Sequence, residues 1–232
     1  MRKILIILFI LPFMCFAQLE QPKSNNIIIH NDYSLEYSEI YKIPKWSAYK
    51  FYKDMTIINY KRKSTFHIDS NVKNKVFDSD YKGSGYDRGH MTPLANFRYD
   101  YNSMIATNYY SNICPQTIGC NRGIWKRVEN QVRKWVEKYD TLYIVSGPIL
   151  SSQNKTIGSG IIVPSFFYKV ILAWDGWDYK SIAFLIPNEK SDKNIFEFQV
   201  SIDYIETITN IDFFYRLPDN VENKLEKDNS LY

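Results

Sequence analysis

Three β-rich runs, Thr141 to Ile149, Ile161 to Trp174 and Ser181 to Ile186, follow one another with only short turn signals between them. Gly147-Pro148, the Gly158-Ser159-Gly160 loop and Asp175-Gly176 mark the divisions. Such runs are expected as core sheet strands. The helix ahead of them begins after Asn121. Trp125, Val128, Val132, Trp135 and Val136 recur there at helical spacing, while Lys126, Arg127, Arg133, Lys134 and Lys138 point elsewhere. It is amphipathic with a basic outer side, and Trp125 and Trp135 belong to core packing rather than to base stacking. The 232 residues are enough for one continuous core, which excludes a disulfide-only miniprotein. With 45% hydrophobic and 16% aromatic residues, the chain is neither disordered nor collagen-like. The net charge of +4 includes Arg2 and Lys3, so bulk charge does not argue for polyanion binding, and any such claim rests on a local site.

Residues 1–17 carry the marks of a signal peptide: Arg2-Lys3, an apolar run from Ile4 to Met14, and Cys15-Phe16-Ala17 before the cleavage point. The run is shorter than the ~20 residues that span a bilayer. A secreted or periplasmic protein is expected, without stable membrane association after cleavage. Residues 18–32 form a polar, Asn-rich arm that includes Ile27-Ile28-Ile29, and folded sequence is expected from Tyr33. From there Ile40 to Ile43, Trp46 to Tyr52 and Thr56 to Tyr60 are β-prone, residues 99–111 suit a short helix, and a further helix runs from about Ser201 to Thr209 with Ile202, Ile205 and Ile208 on one side. One domain over 33–226 is the economical organisation, with 227–232 as a tail and fraying expected from Asp219 onward. Without the signal peptide, Cys114 and Cys120 remain. A short-loop disulfide between them is the expectation, two buried thiols the alternative.

The chain has three histidines, His30, His67 and His90, and neither HExxH nor paired Cys-x-x-Cys, so a zinc site of His and Cys is not indicated. His90 follows Asp87-Arg88-Gly89 behind the loop Lys82-Gly83-Ser84-Gly85, which brings a carboxylate, a guanidinium and an imidazole into four residues. Asn121 at the helix start is either an ordinary N-cap or an amide oxygen offered to a hard cation. Mg²⁺ is commonly held by one or two protein oxygens and keeps several waters. Glu129 lies about two turns further, at ~3.6 residues per turn, within reach of such waters. Arg133 stands at i+4 from Glu129, where a surface salt bridge is the plain alternative.

Tyr81-Lys82-Gly83-Ser84-Gly85-Tyr86-Asp87-Arg88-Gly89-His90-Met91-Thr92-Pro93, then Ser111-Asn112-Ile113-Cys114-Pro115-Gln116, then Asn121-Arg122-Gly123-Ile124-Trp125, closely resemble the DNA/RNA non-specific endonucleases of the ββα-metal class. Weaker echoes at Trp46 to Phe51, Arg62 with Phe66, Val145 to Pro148, Pro164 to Ile171 and Asp212 to Leu217 carry the likeness over most of residues 33–226. The expected fold class is α+β, a single domain with a central antiparallel sheet and a ββα-metal active-site motif. The resemblance implies that His90 is the general base and Asn121 the direct ligand of one Mg²⁺, with Mn²⁺ as a substitute. It gives Glu129 the metal-bound waters, Asn112 the orientation of His90 or of the water network, and Asp87 the support of that network. Arg88, Arg133 and Arg62 would engage the phosphate. Implied substrates are DNA and RNA, single- and double-stranded, cut without sequence preference to leave 5′-phosphates. Cys120 departs from the family pattern, in which an aromatic often precedes the metal ligand; a Cys114–Cys120 bridge would brace that loop. A secreted polyanion-binding module with an inactive site is the alternative from another functional class.

Overall fold

Alternation in the β-rich runs resolves into one large sheet. The computed structural model describes residues 19–151, 155–227 and 231, so the signal segment at 1–17 lies outside the described residues. In chain order the strands are β1 (Ile27–Ile29), β2 (Tyr33–Ser38), β3 (Ile43–Tyr52), β4 (Asp87–His90), β5 (Ile113–Gln116), β6 (Thr141–Ile149), β7 (Thr156–Ile157), β8 (Ile161–Ile162), β9 (Phe166–Trp174), β10 (Tyr179–Pro187) and β11 (Gln199–Val200). The α-helices are α1 (Asp78–Tyr81), α2 (Tyr101–Ala106), α3 (Trp125–Trp135), α4 (Ile202–Thr209) and α5 (Asp219–Lys227). Seven strands join in the order β1-β2-β3-β6-β9-β10-β11, each neighbouring pair antiparallel, which gives the expected α+β class with a central antiparallel sheet.

Period two divides each long strand between two faces. Leu142 and Ile144 of β6 and Phe167 and Ile171 of β9 pack in one cluster, which α3 completes with Trp125, Val128, Val132 and Trp135. Tyr143, Val145, Tyr168, Val170 and Leu172 point the other way, where Ile202 and Ile205 of α4 and Leu225 of α5 cover them. Its apolar stripe is buried against the sheet, and a kinked helical turn leads into it from Thr117, whose hydroxyl accepts from the Cys120 amide at 3.1 Å. Ser201 does cap α4, its hydroxyl accepting from the Tyr204 amide at 3.1 Å.

Several boundaries differ from expectation. Ile40 to Lys42 belong to a turn with Lys42 at φ 56°, and the strand begins at Ile43. Thr56 to Tyr60 is not a strand: the Asn59 and Tyr60 amides both donate to the Arg98 carbonyl, and Ile57 and Ile58 stay exposed. The run from Ile161 breaks around Pro164, which has no N–H to give a ladder. Ordered chain begins ahead of Tyr33, because Ile27–Ile29 pair with β2 and Leu19 is buried. Asp219–Lys227 is helical rather than frayed, with its Leu225 buried, and most of the chain beyond it lies outside the described residues. Cys114 and Cys120 are free thiols, each buried in the apolar cluster, so the expected disulfide is absent. Burial pushes the Cys120 thiol up to about 12 and that of Cys114 well above its ordinary value. Among the described residues no helix is long and apolar enough to cross a membrane.

Candidate active site

β4 and β5 form a separate two-stranded ribbon in register from Asp87↔Gln116 to His90↔Ile113, and with α3 they make a ββα unit. Glycine at position 89 makes room for the Gln116 side chain, which a Cβ there would meet at 2.2 Å. His90 ends the ribbon, buried, and its carbonyl accepts from the Trp125 indole at 3.2 Å, which ties the ribbon to α3. Ahead of α3 the chain makes a single wide π-helical turn, Cys120–Ile124, with a kink at Gly123 (φ −104°, ψ −108°). Asn121 therefore caps no regular helix. Its own amide donates to the Thr117 carbonyl at 2.9 Å, and its side-chain amide donates to Asp87 Oδ2 at 2.9 Å on the ribbon.

A cavity of about 600 Å³ opens between ribbon and helix. Of the eight residues singled out in the sequence, seven line it: Arg62, Asp87, Arg88, His90, Asn121, Glu129 and Arg133. Asn112 is the correction. It is fully buried, donates to the Thr92 and Thr107 carbonyls, and accepts from the Thr92 amide and the Ser47 hydroxyl, so it fixes backbone rather than the imidazole. Asn108 orients His90 instead, with Oδ1 2.9 Å from Nε2. The amide of Asn108 donates through Nδ2 to the Lys63 carbonyl, so its oxygen must face the imidazole. Nε2 consequently carries the hydrogen, and Nδ1 keeps its lone pair. Burial holds the His90 pKa down at about 4; the Asn108 contact opposes that and the Arg62 charge adds to it. The ring is neutral at pH 7.

Comparison with known proteins agrees with this geometry. Residues 15–220 match the model of the DNA/RNA non-specific endonuclease family. The chain belongs to that family. Mitochondrial nuclease EXOG of Homo sapiens is 32% identical over 212 residues, which cover 81% of this chain and 56% of that protein, so the chain spans about half the length of this relative. A nuclease of Serratia marcescens is 30% identical over 216 residues, covering 88% of this chain and 80% of its own. Among solved structures, the crystal structure of the EndoG/EndoGI complex matches with a TM-score of 0.82 and 28% identity, covering 87% of this chain and 90% of that one.

As in any site for a polyanion, charge decides what this endonuclease-family cavity can hold. Arg98, Arg122 and Lys126 also line it, beside Arg62, Arg88 and Arg133. Six cations thus surround two carboxylates, those of Asp87 and Glu129, a local excess that the whole-chain charge conceals. Several are braced. Arg88 donates to Asp78 Oδ1 at 2.5 Å and lies over the Phe66 and Tyr81 rings. Arg133 bonds Asn96 and Asn130 rather than forming an ion pair with Glu129. Arg122 grips Asp87 through Nε and Nη2, both at 2.8 Å, and with Asn121 holds that carboxyl below its ordinary pKa against the cost of burial.

The donor set suits a hard cation. Asp87 can only accept, so the Asn121 NH₂ faces it and the Asn121 oxygen is turned away from it. Glu129 presents a second oxygen ligand on the same cavity. Burial raises its pKa, while the charges of Lys169, Arg133 and Arg62 pull it back. One amide oxygen and one carboxylate do not enclose a metal, but they match a cation that keeps waters and shares a phosphate. Among the described residues, the one group of three close acidic ligands is elsewhere, at Asp203, Glu206 and Glu226 on α4 and α5.

Proposed function

We propose that the protein is an exported, Mg²⁺-dependent endonuclease that hydrolyses phosphodiester bonds of DNA and RNA without sequence preference. One observation carries the proposal: a neutral imidazole with Nδ1 unprotonated and an amide oxygen freed by Asp87 share one cationic cavity. His90 Nδ1 takes the proton of the attacking water, and Asn108 stabilises the imidazolium that results. Arg62, Arg88 and Arg133 meet the phosphate oxygens as negative charge builds. Asn121, with Glu129 acting through water, would hold Mg²⁺, which when bound supplies Lewis-acid stabilisation of the phosphate and the leaving oxygen. Nothing in this division of labour engages a base edge, which accords with sequence-independent cleavage; 5′-phosphate products are what the family resemblance implies. Export rests on the residue pattern of positions 1–17, and N-terminal sequencing of protein from the periplasm or medium tests it, with Gln18 expected as the first residue.

Digestion of plasmid and structured RNA by the purified mature protein tests the chemistry. Cleavage of both is expected with Mg²⁺, loss with EDTA, and losses of 10²-fold or more, roughly, for His90→Ala and Asn121→Ala. Full activity of His90→Ala would remove the base assignment, and cutting in EDTA would remove the metal. Binding of both polymers without turnover would leave only an inactive polyanion-binding module.

A further inference from the structure

Lys169 breaks the rule by which β9 is built. Its neighbours on the α3-facing side of that strand are Phe167 and Ile171, yet position 169 places an ammonium there with no solvent exposure. It does not stand alone. Register places Lys169 opposite Ser146 of β6 and Ser146 opposite Ser47 of β3, so one polar row crosses the apolar face of the sheet, all three residues fully buried. Lys169 Nζ donates to Ser146 Oγ at 2.5 Å and lies 4.4 Å from the Trp125 ring centroid. The indole of Trp125 in turn donates to the His90 carbonyl. Glu129 follows Trp125 by four residues on α3 and is drawn by the Lys169 charge. At the far end of the row, Ser47 bonds Thr92 and Asn112, which anchor the chain just after His90. A methionine would fill the lysine's volume without burying a charge, and stability alone does not favour the ammonium.

We propose that Lys169 is a positioning residue for the cavity: its ammonium, fixed by Ser146, seats the Trp125 indole against the His90 carbonyl and, through that ring, orients Glu129 one turn further along α3. This rests on the proposed role of Glu129 near the cation. The test is Lys169→Met in the full chain, alone and combined with Glu129→Gln, measuring kcat and KM on plasmid DNA, Mg²⁺ affinity by calorimetry, and Tm. Lys169→Met is expected to keep its Tm, to lower kcat and weaken Mg²⁺ binding by about tenfold each, and to leave KM for DNA within about twofold. In the Glu129→Gln background the same change should cost less than about twofold further. Equal losses in both backgrounds, or unchanged kcat and Mg²⁺ affinity, would overturn the proposal. Should Lys169→Met not fold, Ser146→Ala removes the anchor of Nζ at nearly constant volume; it lowers Tm by stranding the buried ammonium, and it is judged by kcat, Mg²⁺ affinity and the Glu129→Gln background alone. Wild-type protein that binds Mg²⁺ but cuts nothing would refute the proposed activity, while the coupling of Lys169 to Glu129 would still be read from the affinities.

Discussion

Asn108 and Asn112 are four residues apart, both buried, and both end in the same amide, but their hydrogen bonds give them different work. Replacing Asn108 by Ala leaves the His90 N–H without its acceptor and the two tautomers free to exchange. A fall in kcat of about 10²-fold is expected, with KM for DNA nearly unchanged and Tm lowered by the one stranded His90 N–H, and Asn108→Asp should recover most of the rate by restoring an acceptor. Asn112→Ala instead strands the Thr92 amide and takes a donor from the Thr92 and Thr107 carbonyls in the core, while the Ser47 hydroxyl keeps Thr92 Oγ1. At roughly 1–3 kcal/mol for each buried unsatisfied group, the loss belongs to Tm rather than to kcat. Thermal melts beside kinetics for both variants separate the two, and a kinetic defect in Asn112→Ala without a lower Tm would count against this division. Asp87→Asn is expected to raise the Mg²⁺ needed for half-maximal rate by about 10–100-fold, because an amide at 87 no longer dictates which way the Asn121 amide turns. That Asp87, Arg88, His90 and Asn121 would meet in one cavity was legible because the motifs at 81–93 and 121–125 carry them, and Glu129 followed from its two-turn spacing beyond Asn121. Asn108 was not legible. Its partners lie 18 and 45 residues away, at His90 and Lys63, and no local pattern announces a contact made only on folding. Arg98 was hidden for the same reason, and Arg122, though it stands in the third motif, showed its grip on Asp87 only in the fold.

At the level of elements, the ribbon is the part with least tolerance. Gly89 lies opposite Cys114, and the space above it is filled by Gln116, whose amide oxygen and nitrogen are both buried without a hydrogen-bond partner. Gly89→Ala forces a methyl into that amide and is expected to cost about 1–3 kcal/mol, read as a lower Tm with activity lost in proportion to unfolding. In a Gln116→Ala background the overlap disappears together with an unsatisfied polar group, so the same substitution should become nearly neutral. An undiminished penalty there would mean that backbone conformation, not the Gln116 side chain, selects glycine. The long strands and α3 were legible because period two and period 3.6 are written in their own residues. The π-helical turn at Cys120–Ile124 was not, and spacing alone placed Asn121 at an ordinary helix start. Asn121 sits in the helical turn ahead of the kink at Gly123, its own amide bonded to the Thr117 carbonyl, and only its side chain reaches Asp87. Thr56 to Tyr60 misled in the opposite sense: it has the composition of a strand, but its backbone is spent on the Arg98 carbonyl.

Across the whole molecule, charge is segregated in a way that the near balance of 29 basic and 25 acidic residues hides. Six cations line the cavity on the α3 side of the sheet, while Glu206, Glu222 and Glu226, with Asp203 and Asp212 beside them, gather at α4 and α5 on the other. Burial first, and repulsion among these carboxylates second, push all three glutamates up to about 7. A carboxyl whose pKa is higher folded than unfolded binds its proton more tightly in the native state. Its contribution to stability is complete below the unfolded value near 4.5 and is lost as pH rises through 7. His90 runs the other way: held at about 4 against an ordinary 6.5, it costs stability as pH falls through that interval. A Tm–pH curve of the wild type therefore mixes two opposed slopes, and a substitution must separate them. Glu226→Gln keeps the shape of the protonated side chain and removes its charge. It should leave Tm unchanged at pH 5, where the glutamate is already protonated, and raise it by a few degrees at pH 8, where it is not. Because the change lies across the sheet from His90, cleavage rates at either pH should match the wild type. The same Tm difference at both pH values would show that Glu226 acts through packing rather than through charge.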